Sequence, residues 1–114
     1  MSCYASAMSI SYTVHAEFDS LDVAGEWVRW LQDGHLAEVL QGGATRAALV
    51  RLEPVDGHQL RFEARYRFPS MQVFQRYEKE FAPKLRAEGL AKFPPSRGVR
   101  MTRSLGEVLT ELSA

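Results

Sequence analysis

Thiols are almost absent from this chain. Cys3 is the only cysteine, so it can form no internal disulfide and has no second cysteine with which to hold zinc, a usage that fits a reducing cytosol. A charge excess is missing too. Fourteen lysines and arginines balance fourteen aspartates and glutamates, which leaves no global basic field for a nucleic-acid backbone and no acidic tail. No apolar run approaches the roughly 20 residues that cross a bilayer, and Met1 to Met8 lack the charged start and apolar stretch of a signal peptide. The chain is therefore expected to be cytoplasmic, without nucleic-acid or membrane partners. Residues 1–8 are expected to be a disordered leader or an overextended start, because Met8 could itself initiate. No serine elbow, glycine-rich phosphate loop, HxH, HxxxH or CxxC spacing occurs, so no metal and no cofactor are expected.

What is present reads as a single domain over residues 9–114, long enough to bury a core without disulfides or metal. From Ser9, Ile10, Tyr12, Val14, Ala16 and Phe18 alternate with Ser11, Thr13, His15 and Glu17, the pattern of a half-buried strand. The Asp19 to Asp22 cluster offers N-cap oxygens to a first helix with Ala24, Trp27, Val28 and Leu31 on one face, and Gly34 offers a left-handed exit. Extended runs follow over Thr45–Leu52 and Gln59–Phe68, with Asp56-Gly57 between them as a hairpin signal. Ser70 caps a second helix carrying Val73, Phe74, Tyr77, Phe81 and Leu85, which Pro83 should bend or restart after Ala82. Pro94-Pro95 ends it, and Val99–Leu105 makes a fourth strand before a short tail.

The resulting order, β-α-β-β-α-β, is the split βαβ arrangement of ferredoxin-like α+β folds, with two helices on one face of a four-stranded antiparallel sheet. The other sheet face holds His15, Arg61, Glu63, Arg65 and Arg67. It must meet water or a second subunit, and symmetric dimers are the commonest oligomers. The arginine ladder reads either as an anion site inside a dimer or as cross-strand ion pairing with Glu17 and Glu53.

Both tryptophans and one of the three histidines fall in one segment, Glu26 to Leu40. Trp27 is in phase with Ala24 and Leu31 and is assigned to the core. Trp30 lies on the helix flank, where it could line a pocket, meet a partner or complete the core. His35 follows the expected helix stop, where the helix dipole would raise its pKa and suit it to general acid catalysis or anion contact. The alternative is a C-capping histidine.

At Glu26-Trp27-Val28-Arg29-Trp30-Leu31, His35 to Leu40 and Phe81 to Leu90, the chain resembles an uncharacterised bacterial domain-of-unknown-function family of the dimeric α+β barrel superfamily. The likeness runs over roughly Ile10 to Leu109 and implies a ferredoxin-like subunit and a homodimer formed through the sheet faces. Where that family often shows histidines in the second helix, this chain has Phe81 and Gly89. Superfamily relatives include cofactor-independent monooxygenases, haem-degrading enzymes, ether-degradation proteins and muconolactone-isomerase-like lyases. The resemblance implies a pocket between helices and sheet near His35, Trp30 and Tyr77.

Three readings follow. The first is a homodimeric small-ligand-binding or regulatory module for an apolar or aromatic ligand, with Trp30, Tyr66 and Tyr77 as candidate binding residues. The second is a cofactor-independent monooxygenase or lyase, with His35 as candidate catalytic residue and Tyr66 or Tyr77 as hydrogen-bonding partners. The third is a structural dimer whose subunits are filled and hold no pocket.

Overall fold

Alternation along the first strand decides the layering. The computed structural model describes residues 8–114, so the expectations for the leader as far as Ala7, and for Cys3, lie outside the described residues. β1 spans Ile10–Phe18, α1 Leu21–Trp30, a π-type turn Leu31–His35, α2 Leu36–Gln41, β2 Arg46–Arg51 and β3 Arg61–Phe68. α3 covers Met71–Glu80, α4 Ala82–Lys92, a 3₁₀ turn Pro95–Arg97 and β4 Val99–Glu107. The strands form one antiparallel sheet in the order β2-β3-β1-β4. This is the ferredoxin-like fold read from the element order.

Ile10, Tyr12, Ala16 and Phe18 of β1, with Phe62, Ala64, Tyr66 and Phe68 of β3, are buried beneath the helices. Register makes the two sets neighbours: Ile10 lies opposite Phe68, Tyr12 opposite Tyr66 and Ala16 opposite Phe62. From the helices come Trp27, Leu31, Val39, Phe74, Tyr77 and Leu85. Phe68 is fully buried, its ring centroid 5.1 Å from those of both Phe74 and Tyr77, within the range of favourable aromatic pairs. Ser20 and Ser70 cap α1 and α3 through their hydroxyls, accepting from the backbone N–H of Val23 and Val73 at 3.4 and 3.2 Å.

Four boundaries differ from expectation. Gly34 has φ 166° and provides no left-handed exit. Its backbone still leaves the helical region, so α1 and α2 are two helices that meet at a kink at Gly34; beyond it the Leu36 N–H donates to the Leu31 carbonyl and α2 runs on to Gln41. The break in the second helical region falls at Phe81, one residue before the expected restart, with Pro83 in the first turn of α4 where its missing N–H costs nothing. β4 runs on to Glu107 because it pairs with β1 along its full length. At the Asp56-Gly57 turn, Val55 and His58 exchange both backbone hydrogen bonds in a separate bridge beyond the ends of β2 and β3.

The link from α2 to β2 needs glycine. Gly43 sits at φ +123°, and a Cβ there would lie 2.6 Å from Val73 Cγ1, so no side chain fits where the link crosses α3.

On the other sheet face two of the ladder's three arginines, Arg65 and Arg67, are ion-paired, though not with the partners expected. Glu63 accepts from Arg65 at 2.8 Å and contacts the His15 ring at 2.8 Å. Arg67 pairs with Glu111 at 2.7 Å, whereas Glu17 pairs with His58 and Arg100. Arg61 reaches only the Glu53 backbone carbonyl, at 3.4 Å.

Candidate functional site

The helices do not fill the space above the sheet. Between them lies a cavity of about 310 Å³, at the lower end of the size range of ligand sites. Its floor is Tyr12 and Val14 of β1, Ala64 and Tyr66 of β3, and Val99, Met101 and Arg103 of β4. Trp27, Trp30, Leu31 and His35 form one wall, and Tyr77 with Leu85, Arg86, Gly89, Leu90 and Phe93 the other. The expectation of a filled subunit without a pocket is thereby corrected. The apolar phase of β4 extends past the cover that α1 and α4 provide, leaving Met101 and Leu105 40% and 48% exposed.

All four sequence-named candidates line this cavity. The His35 ring lies flat on the Trp30 indole, with centroids 4.1 Å apart and an interplanar angle of 21°. Trp30 also meets Phe93 at 5.6 Å. Gly89 makes room for the indole, since a Cβ there would stand 3.3 Å from Trp30 Cη2. Trp27 is 2% exposed and packs on Phe18 and Phe62, as its phase in α1 requires. Tyr66 and Tyr77 are buried, and desolvation pushes both phenols above their ordinary range, so they are neutral hydrogen-bonding groups at pH 7. No hydrogen bond joins either tyrosine to His35 among the described residues.

His35 departs from expectation in its charge. Burial lowers its pKa to about 4, against the opposing pull of the Glu88 carboxylate. The dipole argument has the wrong sign because His35 stands at the start of α2, as its N-cap, where the positive end of a helix dipole disfavours a cation. Its side chain caps nothing. At neutral pH the ring is therefore an uncharged imidazole, unsuited to be a general acid. Its Nδ1 is buried without a hydrogen-bond partner among the described residues.

Three cavity residues escaped the sequence reading. Tyr12, counted only as core, accepts a hydrogen bond at its hydroxyl from Arg86 Nη2 at 3.2 Å, and its ring stacks on Tyr66 with centroids 5.9 Å apart. Arg86 also pairs with Glu78, while its Nε is buried without a partner. Arg103 sits opposite Val14 in register and has no ion pair among the described residues. Only Arg103 left a trace in the sequence, as a charge on the apolar phase of Val99, Met101 and Leu105. His15 and His58 lie outside the cavity. Among the described residues no three His, Cys, Asp or Glu side chains converge as a metal site would need, and no helix is long and apolar enough to cross a membrane.

A ferredoxin-like α+β subunit with an apolar cavity between helices and sheet is the class that this geometry defines. The chain belongs to the family described as Domain of unknown function (DUF4286), whose model matches residues 1–106. No curated protein matches it. Among solved structures, it is similar to a dimeric ferredoxin-like protein from an uncultured marine organism, at 12% identity and TM-score 0.72, covering 93% of this chain and 99% of that one. It is similar to SnoaB, a cofactor-independent oxygenase from Streptomyces nogalater, at 13% identity and TM-score 0.67, covering 95% of this chain and 100% of that one. A monooxygenase from Streptomyces coelicolor in complex with the ligand nanaomycin D matches at 11% identity and TM-score 0.68, covering 95% of this chain and 94% of that one. At such identities these structures share the fold.

Proposed function

We propose that this protein is a homodimeric module of the bacterial cytoplasm that binds a small apolar or aromatic ligand in the cavity beside Trp30. The observation that carries the reading is the cavity of about 310 Å³ walled by the Trp30 and His35 stack and floored by Tyr12 and Tyr66. Flat apolar walls with a few convergent polar groups suit a planar ligand, which gains contact on both faces. Dimerisation through the sheet faces is supported by a neighbour described as dimeric and by the Arg65, Glu63 and His15 cluster, which keeps that face's charges paired if a second sheet covers it. The balanced charge and lone cysteine support the cytoplasm.

Binding is favoured over catalysis by the basicity of His35. A group whose pKa has fallen to about 4 is free to accept a proton at pH 7 but holds it weakly, whereas acid-base catalysis works best with a pKa near the operating pH. The second reading, a cofactor-independent oxygenase or lyase, draws on the oxygenase neighbours and on His35 lining the cavity. It requires a ligand that raises the basicity of His35 on binding.

A thermal-shift screen of planar aromatic compounds tests the proposal, because a ligand of the native state raises its melting temperature. Hits should lose their shift with Trp30→Ala and bind His35→Ala nearly unchanged. If no compound shifts the wild type, or if Trp30→Ala binds equally well, the ligand-binding reading falls. Turnover of a hit, lost with His35→Ala, would instead establish the enzymatic reading.

A further inference from the structure

The cavity lining is electrically one-sided. Two guanidinium groups, Arg86 and Arg103, line it, and no carboxylate does. Glu78 compensates part of the Arg86 charge but is not among the lining residues. Arg86 Nη2 is committed to Tyr12 and Glu78, while its Nε donor is buried and unpaired. Arg103 has no carboxylate partner among the described residues, whereas Arg65, Arg67 and Arg100 on the same sheet each have one. A buried donor without an acceptor costs free energy.

We infer that the cavity selects planar aromatic ligands bearing an anionic group, a carboxylate or an acidic phenolate, received by the guanidinium groups of Arg86 and Arg103 while the ring rests against Trp30 and Tyr66. This rests on the ligand-binding reading and narrows it to a substrate class. An anionic group supplies the counter-charge that this carboxylate-free lining lacks, Glu78 offsetting only part of the Arg86 charge. Charge-assisted bonds of this kind are about twice as strong as neutral ones. The acid end is near the tyrosine hydroxyls: Tyr12 is bonded to Arg86, and the Tyr12 and Tyr77 ring centroids are 6.3 Å apart. The apolar end is set by Trp30, Phe93, Leu31 and Val99. A neutral ring system would fill the same space and leave both arginines as they are.

The test compares 2-naphthoate with its neutral isostere 2-naphthamide, titrated into the full-length protein at pH 7 by calorimetry and tryptophan fluorescence. The naphthoate should bind about tenfold more tightly, the difference expected between a charged and a neutral hydrogen bond. Arg103→Gln, at an exposed strand position, should remove most of that preference while the amide binds as before. Arg86→Gln combined with Glu78→Gln, which leaves no unpaired carboxylate behind, should do the same. Equal binding of acid and amide, both lost with Trp30→Ala, overturns the anion inference and leaves the cavity reading standing. Binding of neither overturns both. A preference that survives both arginine variants also overturns it.

Discussion

The imidazole of His35 lies flat on the indole of Trp30, 4.1 Å away and 21° from parallel, and this stack makes one wall of the cavity. The two rings come from either side of the kink at Gly34, Trp30 from the end of α1 and His35 from the start of α2. Beyond the kink His35 lines the cavity, and burial there lowers its pKa to about 4. Burial beside Trp30 thus makes a neutral ring in a wall of the residue that the sequence suggested as a charged group at a helix C-terminus.

The first prediction concerns pH. His35 has a pKa of about 4 in the folded protein against 6.5 when exposed, so the unfolded state binds the extra proton over that interval. The contribution of the neutral ring is fully present above pH 6.5 and is lost as pH falls toward 4. Between pH 7 and pH 5 the stability should drop by up to about 2 kcal/mol from this group alone. Urea unfolding at the two pH values measures it. His35→Phe, which keeps an aromatic ring on Trp30, should remove most of the drop; an equal drop in the variant would assign it to other groups.

Gly89 is predicted to control the cavity's width. Its missing side chain admits the Trp30 indole, which a Cβ would approach to 3.3 Å. Gly89→Leu should cost about 1–3 kcal/mol through overpacking and abolish the thermal shift given by any ligand that stacks on Trp30. Circular dichroism should show the fold retained.

Phe68 is predicted to be among the most sensitive core positions. It is fully buried against Phe74 and Tyr77 and contacts Tyr12 edge-on. Truncation to alanine should destabilise by about 3–5 kcal/mol, read from denaturant unfolding. Met71→Ala, on the exposed side of α3, should change stability by less than about 1 kcal/mol.

Glu63 is predicted to matter for association. Hydrogen bonds and charge from Arg65 and His15 hold its carboxyl below the ordinary carboxylate range, although partial burial opposes this. Glu63→Lys leaves that cluster uniformly positive among Arg61, Arg65 and Arg67. Sedimentation velocity should show a wild-type dimer and a variant shifted toward monomer, with little change in its secondary structure. A wild type that sediments as a monomer at all concentrations would remove the sheet-to-sheet dimer.

The alternation of Ile10, Tyr12, Ala16 and Phe18 and the helical spacing of Trp27 with Leu31 were enough to place the sheet, its buried face and Trp27 in the core, because side-chain direction in regular elements follows from period alone. Trp30 was recognisable as a flank residue for the same reason. The cavity was not legible. It exists because α1 and α4 cover the sheet incompletely above Val14 and Met101, a matter of how helices pack, which no local pattern encodes.

By itself, then, the sequence determined the β-α-β-β-α-β order, the antiparallel sheet and the polarity of its two faces, all consequences of hydrophobic period and turn chemistry. Tertiary structure alone decided the charge of His35 and the meeting of Arg86 with Tyr12, 74 positions apart. Burial and long-range proximity set both, and these depend on which surfaces meet rather than on which residues are neighbours in the chain.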